Sequence, residues 1–476
     1  MNKYIRLVYM LIISVQSVTA QLPKPTMQQL KWHDMEFYLF THFGPNTFTD
    51  KEWGEGTEKE EIFNPSELDC MQWCRIAKAA GATGIIITAK HHDGFCLWPS
   101  KFSTHTVRES KWKAGKGDVL RELSIACKAA GLKFGVYISP WDRNHPDYGT
   151  PKYNDVFINM MTEIFTKYGP VWELWWDGAN GEGPNGKKQV YDWDRYKKVV
   201  KKLSPNTVIF SDIGPHIRWV GNEKGIAGET NWNTLDTIGF GAGLGAPHVD
   251  TLNKGNVIGN FWIPAECDVS IRPGWFYHKE EDDKVKTPQQ LFELYLKSVG
   301  RGATLLLNVP PDRRGLIHEN DSIALLGFRG LRAANFKDNL CLNAVINIIS
   351  GNSIKRQALA NDNNPGTYIS LKNILKDTVQ IHFKKGVKVN CVVLKEFLKD
   401  GQSVQKFAIQ VSGNGNKETF MNTTVGHKRI ITFPAREADE ILIYIPESKT
   451  EVKLAEAEAY LVADELVETT GVPKGK

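Results

Sequence analysis

Asp177 stands where an apolar run of strand length, VWELWW (171–176), gives way to Gly178 and a loop of small and polar residues. A carboxylate at the carboxyl end of a buried strand sits at the mouth of a sheet or barrel, where it is free to do chemistry. Asp-Gly is equally a common turn pair, so the motif alone also reads as a strand-ending turn. The flanking Trp172, Trp175 and Trp176 offer flat faces that suit stacking on a sugar ring, or core packing. Other reactive side chains follow apolar runs in the same way. His42 follows YLFT, His91 and His92 follow GIIITAK, and Trp141 follows KFGVYISP. Trp219 and Glu223 follow Ser211-Asp212, and Glu266, Arg272 and Trp275 follow GNFWIPA. Imidazoles, carboxylates and indoles converging on one rim describe a sugar site, because rings stack while imidazoles and carboxylates hold hydroxyls. A glycosidic bond is broken by two carboxyl groups, one attacking and one protonating the leaving oxygen. Asp177 suits the first role. Glu223 (GNEKG) and Glu266 (PAECD) are the main candidates for the second, with Glu55 and Glu182 behind them. Arg272 has a plainer reading as the neutraliser of Glu266 or Asp268. His91 and His92 are adjacent, and neighbours on a strand point to opposite faces, so no metal site and no cofactor are expected.

The elements that must position these groups are legible from 30 to about 335. Apolar runs at 38–43, 84–89, 133–139, 171–176, 207–212, 226–230, 259–265 and 303–309 alternate with helical patterns at 69–80, 118–130, 154–167, 192–203 and 288–299. Continuous rather than alternating apolar strands imply a parallel sheet covered on both faces. Eight such units fit a (β/α)8 barrel, with functional residues at the strand ends. No glycine-rich nucleotide fingerprint follows the first strand, which disfavours a doubly wound sheet. Beyond 336 the pattern becomes short strands with turn signals, such as 361–366 and 412–416, which reads as an antiparallel β-sandwich. The expected organisation is therefore 1–20, 21–335 and 336–476.

The chain has 476 residues, with 59 basic and 54 acidic side chains giving a net charge of +5. No basic block interleaved with aromatics stands out, so nucleic acid is not an expected partner. Residues 1–20 read as a secretory signal: Lys3 and Arg6, an apolar stretch from Leu7, and Val18-Thr19-Ala20 before the cut. That stretch is too short for a membrane span, and a periplasmic or secreted protein is expected. The seven cysteines match neither a zinc site nor a disulfide framework and are expected mostly as free core residues.

Several long motifs, in order, carry a family resemblance: FTHFGPNTFTDKEWG (40–54), TAKHHDGFCLWPS (88–100), ELWWDGANG (173–181), RWVGNE (218–223) and SIRPGWFYH (270–278). With these the chain resembles the retaining α-L-fucosidases of glycoside hydrolase family 29 over nearly its whole length. GANGEGPNGK and RWVGNE are similar to the branch selective for α1,3/1,4-linked fucose in Lewis-type glycans. The resemblance implies Asp177 as nucleophile and Glu223 as acid/base. It implies a fucose pocket of His42, Trp53, His91, His92, Arg272 and Trp275, with Glu266 as a ligand of sugar hydroxyls. Glu55, Trp141 and Trp219 are further substrate-binding candidates on the same rim, and fucosylated glycans are the expected partners. The alternatives are a carbohydrate-binding protein on a degenerate barrel, or a hydrolase of another sugar.

Overall fold

The computed structural model describes residues 22–467 except 242–244, 358 and 363. The expected signal segment, 1–20, lies outside the described residues. Eight parallel strands close into a barrel: β1 Phe37–Thr41, β2 Gly84–Lys90, β3 Lys133–Ile138, β4 Glu173–Trp175, β5 Val208–Ser211, β6 Ile217–Trp219, β7 Ala265–Ser270 and β8 Thr304–Asn308. Closure runs in sequence order, with β8 paired to β1.

Side-chain alternation divides the strands into two faces. Phe37, Leu39, Ile85, Ile87, Val136, Leu174, Leu305 and Leu307 point outward into a core shared with the helices. Tyr38, Phe40, Ile86, Tyr137, Trp175, Phe210, Ile217 and Leu306 fill the interior. The helices start and stop as their caps dictate. Asp69 caps Cys70–Ala79, Asp118 caps Val119–Ala130, and Thr287 forms a capping box with Gln290 before Pro288–Lys297. Gly131 ends its helix at φ 71°, a left-handed conformation that favours glycine.

Two strand expectations are corrected. The sixth strand is Ile217–Trp219, six residues after β5, and not 226–230. The seventh is Ala265–Ser270; Phe261 and Trp262, within the expected 259–265, instead pair with Leu235 and Thr234 in a separate two-stranded hairpin. β6 is too short to show a pattern, and β7 carries Glu266 and Asp268 inward, so its composition reads as loop.

After the helix Glu319–Asn335 the chain forms eight antiparallel strands from Ala344 to Tyr460. They make one hydrogen-bonded antiparallel sheet, in keeping with the antiparallel β-domain expected beyond 336. Asp377–Glu396 and Arg429–Ser448, 20 residues each, run through both halves of it, with register shifts after His382 and Val389. This sheet has its own core, including Val379, Ile381, Val392, Phe407, Ile441 and Ile443. It meets the barrel where Lys428 pairs with Glu36 and Ile430 N donates to Gly300 O at 2.9 Å. Glu36 and Gly300 precede β1 and β8, so these contacts lie toward the end of the barrel opposite the strand ends that carry the site. All seven cysteines are free and buried, Cys74 and Cys127 meeting at 3.8 Å between sulfurs. Among the described residues no helix is long and apolar enough to cross a membrane.

Candidate active site

A cavity of about 200 Å³ opens at the carboxyl ends of the strands. Phe40 and His42 reach it from the end of β1, and Glu52 and Trp53 from the loop beyond; His91 and His92 follow β2, and Tyr137 comes from β3. Trp175, Asp177 and Ala179 line it from β4 and its loop, Glu223 from the loop after β6, Asp268 from β7 and Trp275 from the loop after that. The two carboxyl groups expected to do chemistry therefore face one space.

Asp177 is held from both sides. Tyr137 Oη donates to Oδ2 at 3.0 Å and the Ala179 backbone N–H donates to Oδ1 at 2.8 Å. The turn needs Gly178, because a Cβ there would lie 2.1 Å from Asp212 Oδ2. Asp212, pushed up to about 6 by burial and by the Asp177 charge, holds its proton more readily than a free carboxyl. Glu223 is exposed at the mouth, with Trp275 Nε1 at 3.3 Å from its Oε2. Glu52 ties the loops after β1 and β7 together, accepting from Trp275 N at 2.8 Å and Phe276 N at 3.1 Å.

Three imidazoles line the wall, and burial keeps them neutral. His42 is lowered to about 4 by burial, and His91 and His92 are also lowered, burial again being the largest cause. Their tautomers follow from their neighbours. Asn308 Nδ2 donates to Ser270 Oγ at 2.9 Å and to Trp275 O at 2.8 Å, which turns its Oδ1 toward His42 Nδ1 at 2.8 Å. His42 thus donates from Nδ1 and keeps Nε2 as an acceptor. Ser139 Oγ donates to Trp141 O at 2.8 Å and accepts from His92 Nδ1 at 2.8 Å. This leaves the His92 Nε2 lone pair 3.8 Å from Asp177 Oδ2. Two acceptors facing each other call for a donor, and a sugar hydroxyl can donate to one of them.

Asp268 is pushed well above the carboxylate range by burial and by the charges of Glu266 and Glu223, and Trp219 Nε1 donates to its Oδ1 at 2.9 Å. The cavity thus combines a fixed carboxylate, a mouth glutamate, a protonated acid, neutral imidazoles and indole faces. Trp53 is 55% exposed at the rim, edge-on to His92 and Trp141.

Not every expected residue reaches this space. Glu55 is exposed and pairs with Lys51, at 2.7 Å, outside the cavity. Arg272 is buried away from the cavity, bonded to Asp321 and Asp282 rather than to Glu266 or Asp268. Glu266 lies in the barrel interior beneath the cavity, where Tyr38 and Trp175 donate to it. Trp141 backs His92 and Trp53 without lining the cavity, its indole N–H on Glu182 O at 3.0 Å. Trp219 serves by holding Asp268. In the other direction, Glu52, Tyr137 and Asp268 emerge as cavity residues, and of the three indoles flanking Asp177 Trp175 is the one that lines the cavity. Inward parity on β3, β4 and β7 is the available signal for Tyr137, Trp175 and Asp268. Glu52 lies beside Trp53 in the first motif.

A (β/α)8 barrel with paired carboxyl groups, imidazoles and indoles around a single-ring cavity at its strand ends is the architecture of a glycoside hydrolase. Comparison with known proteins specifies it further. The α-L-fucosidase family model matches residues 14–328. Alpha-L-fucosidase 1 of Arabidopsis thaliana is 41% identical over 431 residues, 87% of this chain and 82% of that one. The structure of a putative α-L-fucosidase from Bacteroides ovatus superposes with a TM-score of 0.82 at 43% identity, covering 95% of this chain and 76% of that one. A Ruminococcus gnavus family 29 fucosidase solved with fucose superposes with a TM-score of 0.83 at 29% identity, covering 94% and 97%. The chain belongs to the α-L-fucosidases of glycoside hydrolase family 29.

Proposed function

We propose that the chain is a retaining, exo-acting α-L-fucosidase that removes terminal α-L-fucose, α1,3- or α1,4-linked, from Lewis-type glycans outside the cytoplasm. The observation that carries this reading is Asp177, clamped by Tyr137 and Ala179 N–H, facing the same cavity as Glu223. At about 200 Å³ the space is below the ~300–1,000 Å³ of common small-molecule clefts, which suits one terminal sugar ring. Phe40 and Trp175 supply apolar surface for a C6 methyl group, and the acceptor nitrogens of His42 and His92 suit hydroxyls.

In this reading an Asp177 oxygen attacks C1 as the C1–O electron pair leaves with the aglycone oxygen, which takes the Glu223 proton. A fucosyl ester on Asp177 results. Glu223 then accepts a proton from water as the water oxygen attacks C1, and Asp177 leaves as carboxylate. The mouth position of Glu223 suits this double duty, because both the aglycone and the incoming water arrive from solvent. The resemblance of RWVGNE and GANGEGPNGK supports the branch, and residues 1–20 support export.

The test is hydrolysis of a Lewis trisaccharide, followed by NMR of the first product anomer. The α anomer forming first is expected; β first would exclude retention, and no fucose released over long incubation despite calorimetric binding would make the chain a binding protein. For Glu223→Ala, azide should restore turnover of an activated aryl fucoside; rescue at another carboxyl would move the acid.

A further inference from the structure

Beneath the cavity lies a second pair of carboxyl groups with no part in the chemistry above. Glu173 of β4 and Glu266 of β7 are both 0% exposed in the barrel interior and within hydrogen-bonding reach of each other. The donors that reach them are neutral. Glu266 accepts from Trp175 Nε1 at 2.7 Å on Oε1 and from Tyr38 Oη on Oε2. Among the described residues Glu173 accepts only from Trp32 Nε1, at 3.0 Å on Oε2, and no donor reaches its Oε1.

Two buried carboxylates cannot both be ionised at this distance in a low-dielectric interior. The group with more donors keeps the charge, which is Glu266. The orphaned Glu173 Oε1 then carries the proton and donates it to Glu266, leaving no lone pair opposed to another. Burial raises both groups; the bonds from Tyr38, Trp175 and Glu173 pull Glu266 back down, while the Glu266 charge pushes Glu173 further, well above the carboxylate range.

The charge has a use in the site above it. Alternation puts Glu173 and Trp175 on the same face of β4. The Trp175 ring stacks on Phe210 at 3.9 Å and 9°, lies 5.4 Å from the Tyr137 ring, and forms part of the cavity wall. Stacking leaves a ring free to slide in its plane; the short bond from its N–H to an anion removes that freedom. Tyr137 in turn donates to Asp177.

We propose that Glu266, joined to Glu173 by one shared proton, is a positioning residue that fixes the Trp175 ring against the sugar and, through Tyr137, the setting of Asp177. This rests on the cavity being the fucose site. Glu173→Gln preserves a donor toward Glu266 and should keep kcat/KM within about threefold of wild type. Glu266→Met removes the acceptor at similar volume and should lower kcat/KM by about 10- to 100-fold, the upper figure being the cost of misplacement by about 1 Å at a reacting centre. Added to Trp175→Phe, Glu266→Met should cost no further factor beyond about two, because the indole N–H that Glu266 holds is already gone. Losses that multiply, or full activity in a folded Glu266→Met protein, would overturn the proposal.

A second readout needs neither substrate nor the Met variant. In ¹⁵N-tryptophan-labelled protein the Trp175 indole N–H resonance, assigned by its loss in Trp175→Phe, should lie far downfield. It should stay there in Glu173→Gln and move upfield in Glu266→Gln, where a neutral amide replaces the anion. Movement in Glu173→Gln as large as in Glu266→Gln would overturn the proton placement. Because this signal is read without substrate, a wild-type chain inactive on fucosides would count against the sugar-site reading and not against the pair.

Discussion

Replacing Tyr137 by Phe isolates the contact that holds the proposed nucleophile. The ring is 1% exposed, set between Trp175 at 5.4 Å and His91 at 5.8 Å, so Phe keeps the packing and removes one hydroxyl. What is lost is a neutral O–H donor on a carboxylate oxygen at 3.0 Å. Hydrogen bonds to charged groups contribute about 1.5–3 kcal/mol. At about 1.4 kcal/mol per decade, complete loss of that contribution in the transition state lowers kcat/KM by about 10- to 150-fold. The Ala179 N–H still holds Oδ1, so some activity remains. The Asp177 side chain is 27% exposed, so water replaces the hydroxyl and stability should change by less than about 1 kcal/mol. The fall should appear mainly in kcat, since the contact orients the attacking oxygen rather than the bound sugar. Michaelis parameters on a fucosyl substrate with a thermal unfolding curve check this. Activity within about threefold of wild type, or a loss matched by unfolding, would show that the Tyr137 hydroxyl does not hold the nucleophile.

Three further outcomes follow. His42 is lowered to about 4 in the folded state against 6.5 when unfolded, so the unfolded chain binds the proton more readily. The stability from keeping His42 neutral is present above about pH 6.5 and is lost progressively as pH falls toward 4, by up to about 3 kcal/mol. Urea unfolding midpoints between pH 7.5 and 4.5 should fall, and a flat profile would contradict the neutral wall. Glu55→Ala should leave kcat/KM within about twofold, because an exposed pair contributes little; a large rise in KM would return Glu55 to the site. Arg272→Met strands buried Asp321 beside Asp282 and should cost about 3–5 kcal/mol in denaturant unfolding. An unchanged midpoint with raised KM would instead make Arg272 a sugar ligand.

The rim was legible in the sequence where long apolar strands stop at reactive residues. β2 and β3 are seven and six residues long and covered by capped helices, and their last residues announce His91, His92 and Trp141. Asp177 was legible for the same reason. Legibility failed where inward-facing polar residues broke the apolar pattern. An apolar run at 259–265 puts Glu266 at a strand end, a shift that lifts an interior residue to the rim. With β7 at Ala265–Ser270, Asp268 is the cavity carboxyl and Glu266 lies two residues deeper. The place of Arg272 is not legible, because its partners Asp282 and Asp321 lie 10 and 49 residues away in sequence, a pairing no local motif records.

The central claim is that Asp177 attacks the sugar. Incubation with a 2-deoxy-2-fluoro-fucosyl donor bearing a good leaving group slows release of the ester, and peptide mass spectrometry then locates the label. One fucosyl adduct is expected, on the peptide containing Asp177, absent in Asp177→Ala. An adduct on Asp212, Glu223 or Asp268, or steady turnover with no adduct and β-fucose as the first product, would contradict the claim.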